Sequence, residues 1–174
     1  MENKFLQLKR EYDNFDNHML KQGQLPMWDT GVGFYSPAIL TEAFDLFKKI
    51  NLQNYRNFID LGSGDGRIVL AASLFTNASG IEIDPKLTSI STQMNQRLGL
   101  NARFLQHNFL DYNISAHDII FINPDQPMHR GLETKFLNEL KGNLIVYNPH
   151  FHPTQLRKKQ DFNLNGTFAA LYSR

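Results

Sequence analysis

The chain has 174 residues, 41% of them hydrophobic, and a formal net charge of +1. A chain of this length supports one core, so residues 1–174 are expected to form a single domain, and the near-neutral charge predicts no strong attraction to nucleic acid or to an anionic membrane. It contains no cysteine, which excludes disulfides and thiolate metal sites.

The opening MENKFLQLKREYDNFDNH is charged throughout and lacks the apolar core of a signal peptide. No segment approaches the apolar length that crosses a bilayer. A soluble, cytoplasmic protein without membrane contact is the expectation. Between Lys4 and Lys21, Phe5, Leu8, Tyr12, Phe15 and Met19 recur at spacings of three and four, one stripe of an amphipathic helix that packs on the domain. GQLPMWDTGVGFYSP, rich in glycine, proline and aromatics, reads as a loop. Residues 1–33 are therefore read as a helix and loop ahead of a core over 34–174. The next helix starts with Ser36 as its cap and Pro37 in its first turn, and buries Ile39, Leu40, Ala43, Phe44 and Phe47.

From Asn57 short apolar strands alternate with helices. Strands are expected near Phe58–Leu61, Ala78–Ile83, Ala102–Gln106, Asp118–Ile122 and Asn143–Tyr147, and helices near Arg67–Phe75, Pro85–Leu98 and Arg130–Leu140. Asn165-Gly166 is a tight hairpin turn between two last strands. The pattern is that of a doubly wound α/β fold: a mostly parallel, seven-stranded, Rossmann-like sheet ending in an antiparallel hairpin and preceded by a helix.

In such a sheet ligands sit at the carboxyl ends of the strands, where the strand order reverses. FIDLGSGDGRIVLAA places Asp60 at a strand end, directly before Gly62, Ser63, Gly64, Asp65 and Gly66. The spacing is not G-x-G-x-x-G, and no G-K-[ST] follows, so neither a dinucleotide nor a nucleoside triphosphate is the expected ligand. A carboxylate in the place of a pyrophosphate argues instead for a cationic or donor-rich ligand, such as the ammonium and sulfonium of S-adenosylmethionine. Glycines let the backbone approach the adenosine. Glu82, ending the next strand in SGIEIDP, stands where an acidic residue accepts from both ribose hydroxyls.

DLGSGDGRIVLAA followed by GIEIDP resembles the first two motifs of class I S-adenosylmethionine-dependent methyltransferases, and the likeness continues through HNFLDYNI, DIIFINPD and LKGNLIVYNPHF. Within that superfamily the chain is most similar to the lysine methyltransferases named for disruption of telomeric silencing, and more so to their archaeal relatives, which methylate lysines of many proteins. The resemblance implies that Asp60, Gly62, Ser63, Gly64 and Gly66 hold the methionine end of the cofactor, Glu82 the ribose, and Asn108 with Phe109 the adenine. GFYSP loosely matches that family's short loop before the first helix.

Asn-Pro-Pro-aromatic marks amino-group methyltransferases of bases and of glutamine, but here Asn123-Pro124 continues as Asp125-Gln126. The missing stacking aromatic argues against a flipped base. A lysine must shed a proton before transfer; a desolvating pocket favours the neutral amine, and a nearby oxygen could pass the proton to water. Tyr35, Asn123, Asp125, Tyr147 and Asn148 are candidates, with Asn123 and Tyr35 expected to line the transfer site and no dedicated general base. His129, His150 and His152 have no carboxylate or cysteine at a familiar metal spacing, so no metal is expected and they read as loop residues at the substrate mouth.

The leading reading is a protein-lysine N-methyltransferase. An N-methyltransferase of RNA, DNA or a small molecule is the alternative among enzymes, and a catalytically silent cofactor-fold module the alternative outside them. The intact Asp60–glycine–Glu82 set disfavours the silent module. The small net charge disfavours nucleic acid, with Arg157-Lys158-Lys159 read as a solvated helix end. Selectivity is expected from the loops Trp28–Tyr35, Gln126–Arg130 and His150–Pro153. Nothing in the sequence sets an oligomeric state.

Overall fold

The computed structural model describes residues 1–128 and 131–174. In chain order these form α1 (Glu2–Lys21), β1 (Trp28–Asp29), β2 (Phe34–Tyr35), α2 (Leu40–Lys49), β3 (Asn57–Leu61), α3 (Arg67–Ala72), β4 (Asn77–Glu82), α4 (Pro85–Leu98), β5 (Arg103–Gln106), β6 (Ile119–Ile122), α5 (Leu132–Glu139), β7 (Asn143–Tyr147), β8 (Arg157–Leu164) and β9 (Thr167–Ser173).

Alternate side chains of a strand face opposite ways, so a strand that is apolar throughout must be covered on both faces. Phe58 on β3, Phe121 on β6, and Ile145 and Tyr147 on β7 pack beneath α1, α2, α3 and α4. Their neighbours Ile59, Leu61, Ile120, Ile122, Leu144 and Val146 pack on the other side, under Leu132 and Phe136 of α5 and Ile114. Between these layers lies one seven-stranded sheet in the order β5-β4-β3-β6-β7-β9-β8. β3 pairs in parallel with β4 and β6, β6 with β7, and β4 with β5, while β9 runs antiparallel to β7 and β8. The chain winds outward from β3 in one direction and then crosses to β6, which makes the end of β3 the switch point.

Most expected elements are present within a residue or two of their expected ends. Asn165 and Gly166 turn the last hairpin with positive φ at both positions, as a two-residue turn of this hand requires. Asp84 caps α4 by accepting from the Leu87 amide at 2.9 Å, with Pro85 in the first turn.

Four expectations need correction. The second helix begins at Leu40, its N-cap is Ile39, and no side chain caps it. Ser36 and Pro37 lie outside the helix, and Ile39 is 51% exposed rather than buried. The expected loop contains a small hairpin, Trp28 paired with Tyr35 and Asp29 with Phe34. Its turn is closed by side chains: Asp29 accepts from the Gly31 amide at 2.7 Å, and the Thr30 hydroxyl donates to the Gly33 carbonyl at 2.8 Å. α3 is regular only to Ala72, after which the Phe75 amide bonds back to Ala72 and tightens the end into a turn. Arg157-Lys158-Lys159 is the exposed start of edge strand β8, not a helix end. Charged side chains there protect an edge from pairing with another chain. The helix expected from Arg130 is described from Leu132, Arg130 itself lying outside the described residues.

Candidate active site

The turn after β3 is held from two sides. On the inner side, the Ile81 carbonyl accepts from the Gly62 and Ser63 amides, both at 2.9 Å. Glu82 accepts from the Gly64 amide at 2.8 Å through one carboxylate oxygen and from the Asp84 amide at 2.9 Å through the other. On the outer side, Arg67 donates from Nε and Nη2 to the Asp65 carboxylate at 2.9 and 2.7 Å. The same guanidinium reaches Asp16 of α1 at 2.9 and 3.2 Å. Tyr12 of α1 donates its hydroxyl to the Asp65 carbonyl at 2.7 Å.

This turn forms one wall of a cavity of about 380 Å³ at the carboxyl ends of β3, β4 and β6. Asp60, Gly62, Ser63, Gly64 and Glu82 line it, as do Asn108 and Phe109 after β5. Tyr35 from the hairpin and Asn123 from the end of β6 close the remaining sides. Of the residues expected to bind cofactor or line the transfer site, all but Gly66 therefore share this one cavity.

Gly66 does not line it. Its φ is +83°, and a Cβ there would fall 2.5 Å from Ser91 Cβ and 2.8 Å from the Phe104 ring. Its smallness lets α3 start against α4 and β5; it is a packing residue. Gly64 is different: its φ is +54°, and a Cβ would meet the Tyr35 ring at 2.9 Å inside the site.

Four carboxylates line the cavity, Asp60, Asp65, Glu82 and Asp125, against the single guanidinium of Arg67. Asp65 is neutralised by Arg67, and Glu82 is solvated by two backbone amides. Asp60 is 3% exposed and has no such compensation among the described residues. Burial, followed by the charges of Glu82 and Asp65, pushes its carboxyl well above the usual range. Tyr35 is buried too, and its hydroxyl has no hydrogen-bond partner among the described residues. Burial and then the Asp65 charge drive its ionisation far up, so it serves as a neutral hydroxyl rather than a base. The Ser63 hydroxyl is likewise buried without a partner among the described residues.

Asn108 caps the short turn Phe109–Asp111: its side-chain carbonyl accepts from the Leu110 amide at 3.0 Å and its amide donates to Asp111 at 3.0 Å. One lone pair on that carbonyl is left for a ligand. The Phe109 ring lies over Gly62, 3.9 Å from where a Cβ would stand. Asp125 accepts from the Phe34 amide at 2.7 Å, so the departure from Asn-Pro-Pro-aromatic ties β2 to the end of β6.

Two candidate proton acceptors fall away. Tyr147 is buried beneath α2 and donates to Glu42 at 2.5 Å. Asn148 donates to the Pro124 carbonyl and accepts from the His150 and Phe151 amides, shaping a loop instead. Neither lines the cavity. His150 is exposed, and His152 Nδ1 is 2.8 Å from the Tyr172 hydroxyl. Neither of these histidines lines the cavity either, so the His150–Pro153 loop does not form its mouth. His129 and Arg130 lie outside the described residues. Among the described residues no group of three His, Asp or Glu could hold a metal ion, and no helix is long and apolar enough to cross a membrane.

The donor set fits S-adenosylmethionine. A buried, uncompensated carboxylate at Asp60 suits the ammonium, the free lone pairs of Glu82 suit the ribose hydroxyls, and Phe109 offers an apolar face to the adenine. A model of the ANTKMT methyltransferase domain matches residues 60–159, more than half of the chain. The chain belongs to that family. As an ANTKMT methyltransferase domain it is a class I, S-adenosylmethionine-dependent methyltransferase.

Among characterised relatives, a lysine N-methyltransferase of Caenorhabditis elegans, named for its ATP synthase substrate, is 30% identical over 109 residues, covering 61% of this chain and 57% of that protein. The chain therefore matches little more than half of that relative's length. An RNA methyltransferase from Salinibacter ruber, solved in complex with S-adenosyl-L-homocysteine, superposes with a TM-score of 0.70 at 20% identity, over 79% of this chain and 93% of that one. The mitomycin 7-O-methyltransferase MmcR gives 0.65 at 13% identity, over 78% of this chain and 53% of that one. Both share the fold of the ANTKMT methyltransferase domain.

Proposed function

We propose that this domain transfers a methyl group from S-adenosylmethionine to a lysine side chain of a protein. The observation that carries the reading is the cavity's charge: three carboxylates beyond the Asp65–Arg67 pair, one of them buried and uncompensated, surround a space that would admit cations and repel phosphates. The lysine specificity of the Caenorhabditis elegans relative supports the choice of acceptor.

When bound, S-adenosylmethionine supplies a methyl already activated on a sulfonium, so displacement by an amine needs positioning more than acid–base chemistry. Asp60 holds the ammonium, the Gly62–Gly64 backbone lets the methionine end lie close, and Ser63 offers a hydroxyl. Glu82 takes the ribose, and Asn108 with Phe109 the adenine. Asn123, at the end of β6, offers a carbonyl that aligns the incoming amine, and the Tyr35 hydroxyl donates beside it without accepting the proton. The cavity walls withhold water, which favours the neutral amine, and its proton leaves to solvent.

The test is incubation of the protein and extract with S-adenosylmethionine labelled in the methyl group, followed by acid hydrolysis. Label is expected in methyl-lysine, and Asn123→Ala should lose most of it, about tenfold or more, while still being stabilised by S-adenosylhomocysteine. Label confined to nucleic acid or small molecules would overturn the reading.

A further inference from the structure

Arg67 is the first residue of α3, yet its guanidinium serves two carboxylates from different parts of the chain. Nε and Nη2 hold Asp65, the residue between the left-handed Gly64 and Gly66. Nη1 and Nη2 hold Asp16, one turn beyond Tyr12 on α1. The Tyr12 ring lies 4.7 Å beneath the guanidinium, and its hydroxyl holds the Asp65 carbonyl. Tyr12, Asp65 and Arg67 are all buried, and Asp16 is partly so. Residues more than fifty positions earlier in the chain thus grip the middle of the glycine turn from outside, opposite the Glu82 carboxylate that grips Gly64 from inside.

Three glycines with positive φ, Gly62, Gly64 and Gly66, make this turn soft on its own, because each has a wide choice of backbone conformations. Bonds at the Gly64 amide, the Asp65 carbonyl and the Asp65 carboxylate remove that freedom before any ligand arrives. Pre-ordering a binding loop raises affinity without adding a contact to the ligand. We propose that α1 is a cofactor-positioning element: Asp16 through Arg67, and Tyr12 through the Asp65 carbonyl, hold the glycine turn in the shape that receives S-adenosylmethionine. Neither Asp16 nor Tyr12 lines the cavity, so both act through Asp65 and Arg67, which do. The inference rests on the cofactor assignment proposed above.

A positioning role differs from general support of the fold in what it changes. Loss of the grip lowers the population of the binding-competent turn, which weakens cofactor binding in proportion. Turnover at saturating cofactor, when the turn is filled and ordered, stays the same. A contact that only docks α1 would change melting temperature and nothing else. Glu11 provides the control, because it also joins α1 to the body, through Arg97 at 3.4 Å, but at a site remote from the turn.

The experiment measures S-adenosylhomocysteine binding by calorimetry and steady-state kinetics on the full chain, for the wild type and for Asp16→Asn, Tyr12→Phe and Glu11→Gln. Both substitutions at the grip keep the size and packing of the side chain, so folding is preserved in at least one of them. In Asp16→Asn and Tyr12→Phe the dissociation constant and the cofactor KM are expected to rise by about three- to tenfold, with kcat within about twofold of wild type. Glu11→Gln should bind as the wild type does. Wild-type affinity in both grip variants, an equal loss in Glu11→Gln, or a fall in kcat at unchanged affinity would each overturn the positioning role while leaving the cofactor assignment standing. A wild type that binds no S-adenosylhomocysteine would overturn the cofactor assignment, and the positioning role with it.

Discussion

Asp60 concentrates the conflict between folding and binding. It sits between β4 and β6, opposite Gly80 and Phe121, buried and facing two other carboxylates. In the unfolded chain such a group titrates at about pH 3.9; in the fold its proton is retained to higher pH. Folding therefore takes up a proton across that window. The stability it contributes is full below the unfolded value and is lost as pH rises through the raised, folded one. Asp60→Asn removes this loss. The ligand-free variant should melt above the wild type by a margin that widens from about pH 4 upward, while its affinity for S-adenosylhomocysteine falls by roughly tenfold or more. Melting curves across pH, with and without the ligand, measure both effects. A wild type that gains on the variant as pH rises would mean that Asp60 is already ionised and compensated. Glu82 differs in kind: its two oxygens hold the Gly64 and Asp84 amides, so it builds the turn as well as facing the ribose position, and its removal would disturb both.

At the scale of elements, the small β1–β2 hairpin closes one side of the site. Trp28 packs on Tyr35 with ring centroids 4.6 Å apart, and the Lys86 ammonium of α4 lies 4.2 Å over Trp28. The other end is held by Asp125, which accepts from the Phe34 amide. Asp125→Ala should release that end. Amide exchange at Phe34 and Tyr35 is expected to quicken by roughly three- to tenfold, since a partly exposed charged acceptor is worth about 1 kcal/mol, while amides of β3 and β6 keep their protection. Unchanged exchange at Phe34 would show that the hairpin holds itself. The hairpin is hidden in the sequence because its two-residue strands carry no period, and its turn is closed by Asp29 and Thr30 side chains rather than by a glycine pair. The central strands are legible for the opposite reason: continuous apolar runs such as FIDL and IIFI, punctuated by Gly62–Gly66 and by Asp84-Pro85, are local signals. Asp60 and Glu82 can be paired from sequence because the parallel pairing of β3 with β4 aligns consecutive strand ends. Arg67 with Asp16 cannot, since that contact depends on how α1 docks across the sheet, and no local pattern encodes it. Gly66 misleads for a related reason, as its spacing fits a ligand loop while its neighbours, Ser91 and Phe104, come from α4 and β5.

The whole molecule applies one rule of doubly wound sheets with its charge reversed. Dinucleotide enzymes place a pyrophosphate at the switch point, against a helix amino terminus with no carboxylate in the way. Here α3 also starts at the switch point, but Asp60, Glu82 and Asp65 surround the turn that leads to it, and one guanidinium answers only one of the three. A pyrophosphate entering this space would meet uncompensated negative charge at short range in a partly desolvated cavity, where such repulsion is strongest. An ammonium would meet the same charge as attraction. The fold should therefore distinguish the two ligand classes although both carry adenosine. S-adenosylhomocysteine, which retains the ammonium, is expected to raise the melting temperature by about 5–10 °C at a hundredfold excess over its dissociation constant, from about 2.7 kcal/mol of binding energy spread over a chain of this size. NAD at the same concentration should leave it unchanged. Raising salt should weaken the discrimination only modestly, because charges buried in the cavity are screened less than charges on the surface. Thermal melts with each ligand at low and high salt provide the measurement. Stabilisation by NAD equal to that by S-adenosylhomocysteine would mean that adenosine contacts dominate and that the carboxylates around Gly64 do not select the ligand.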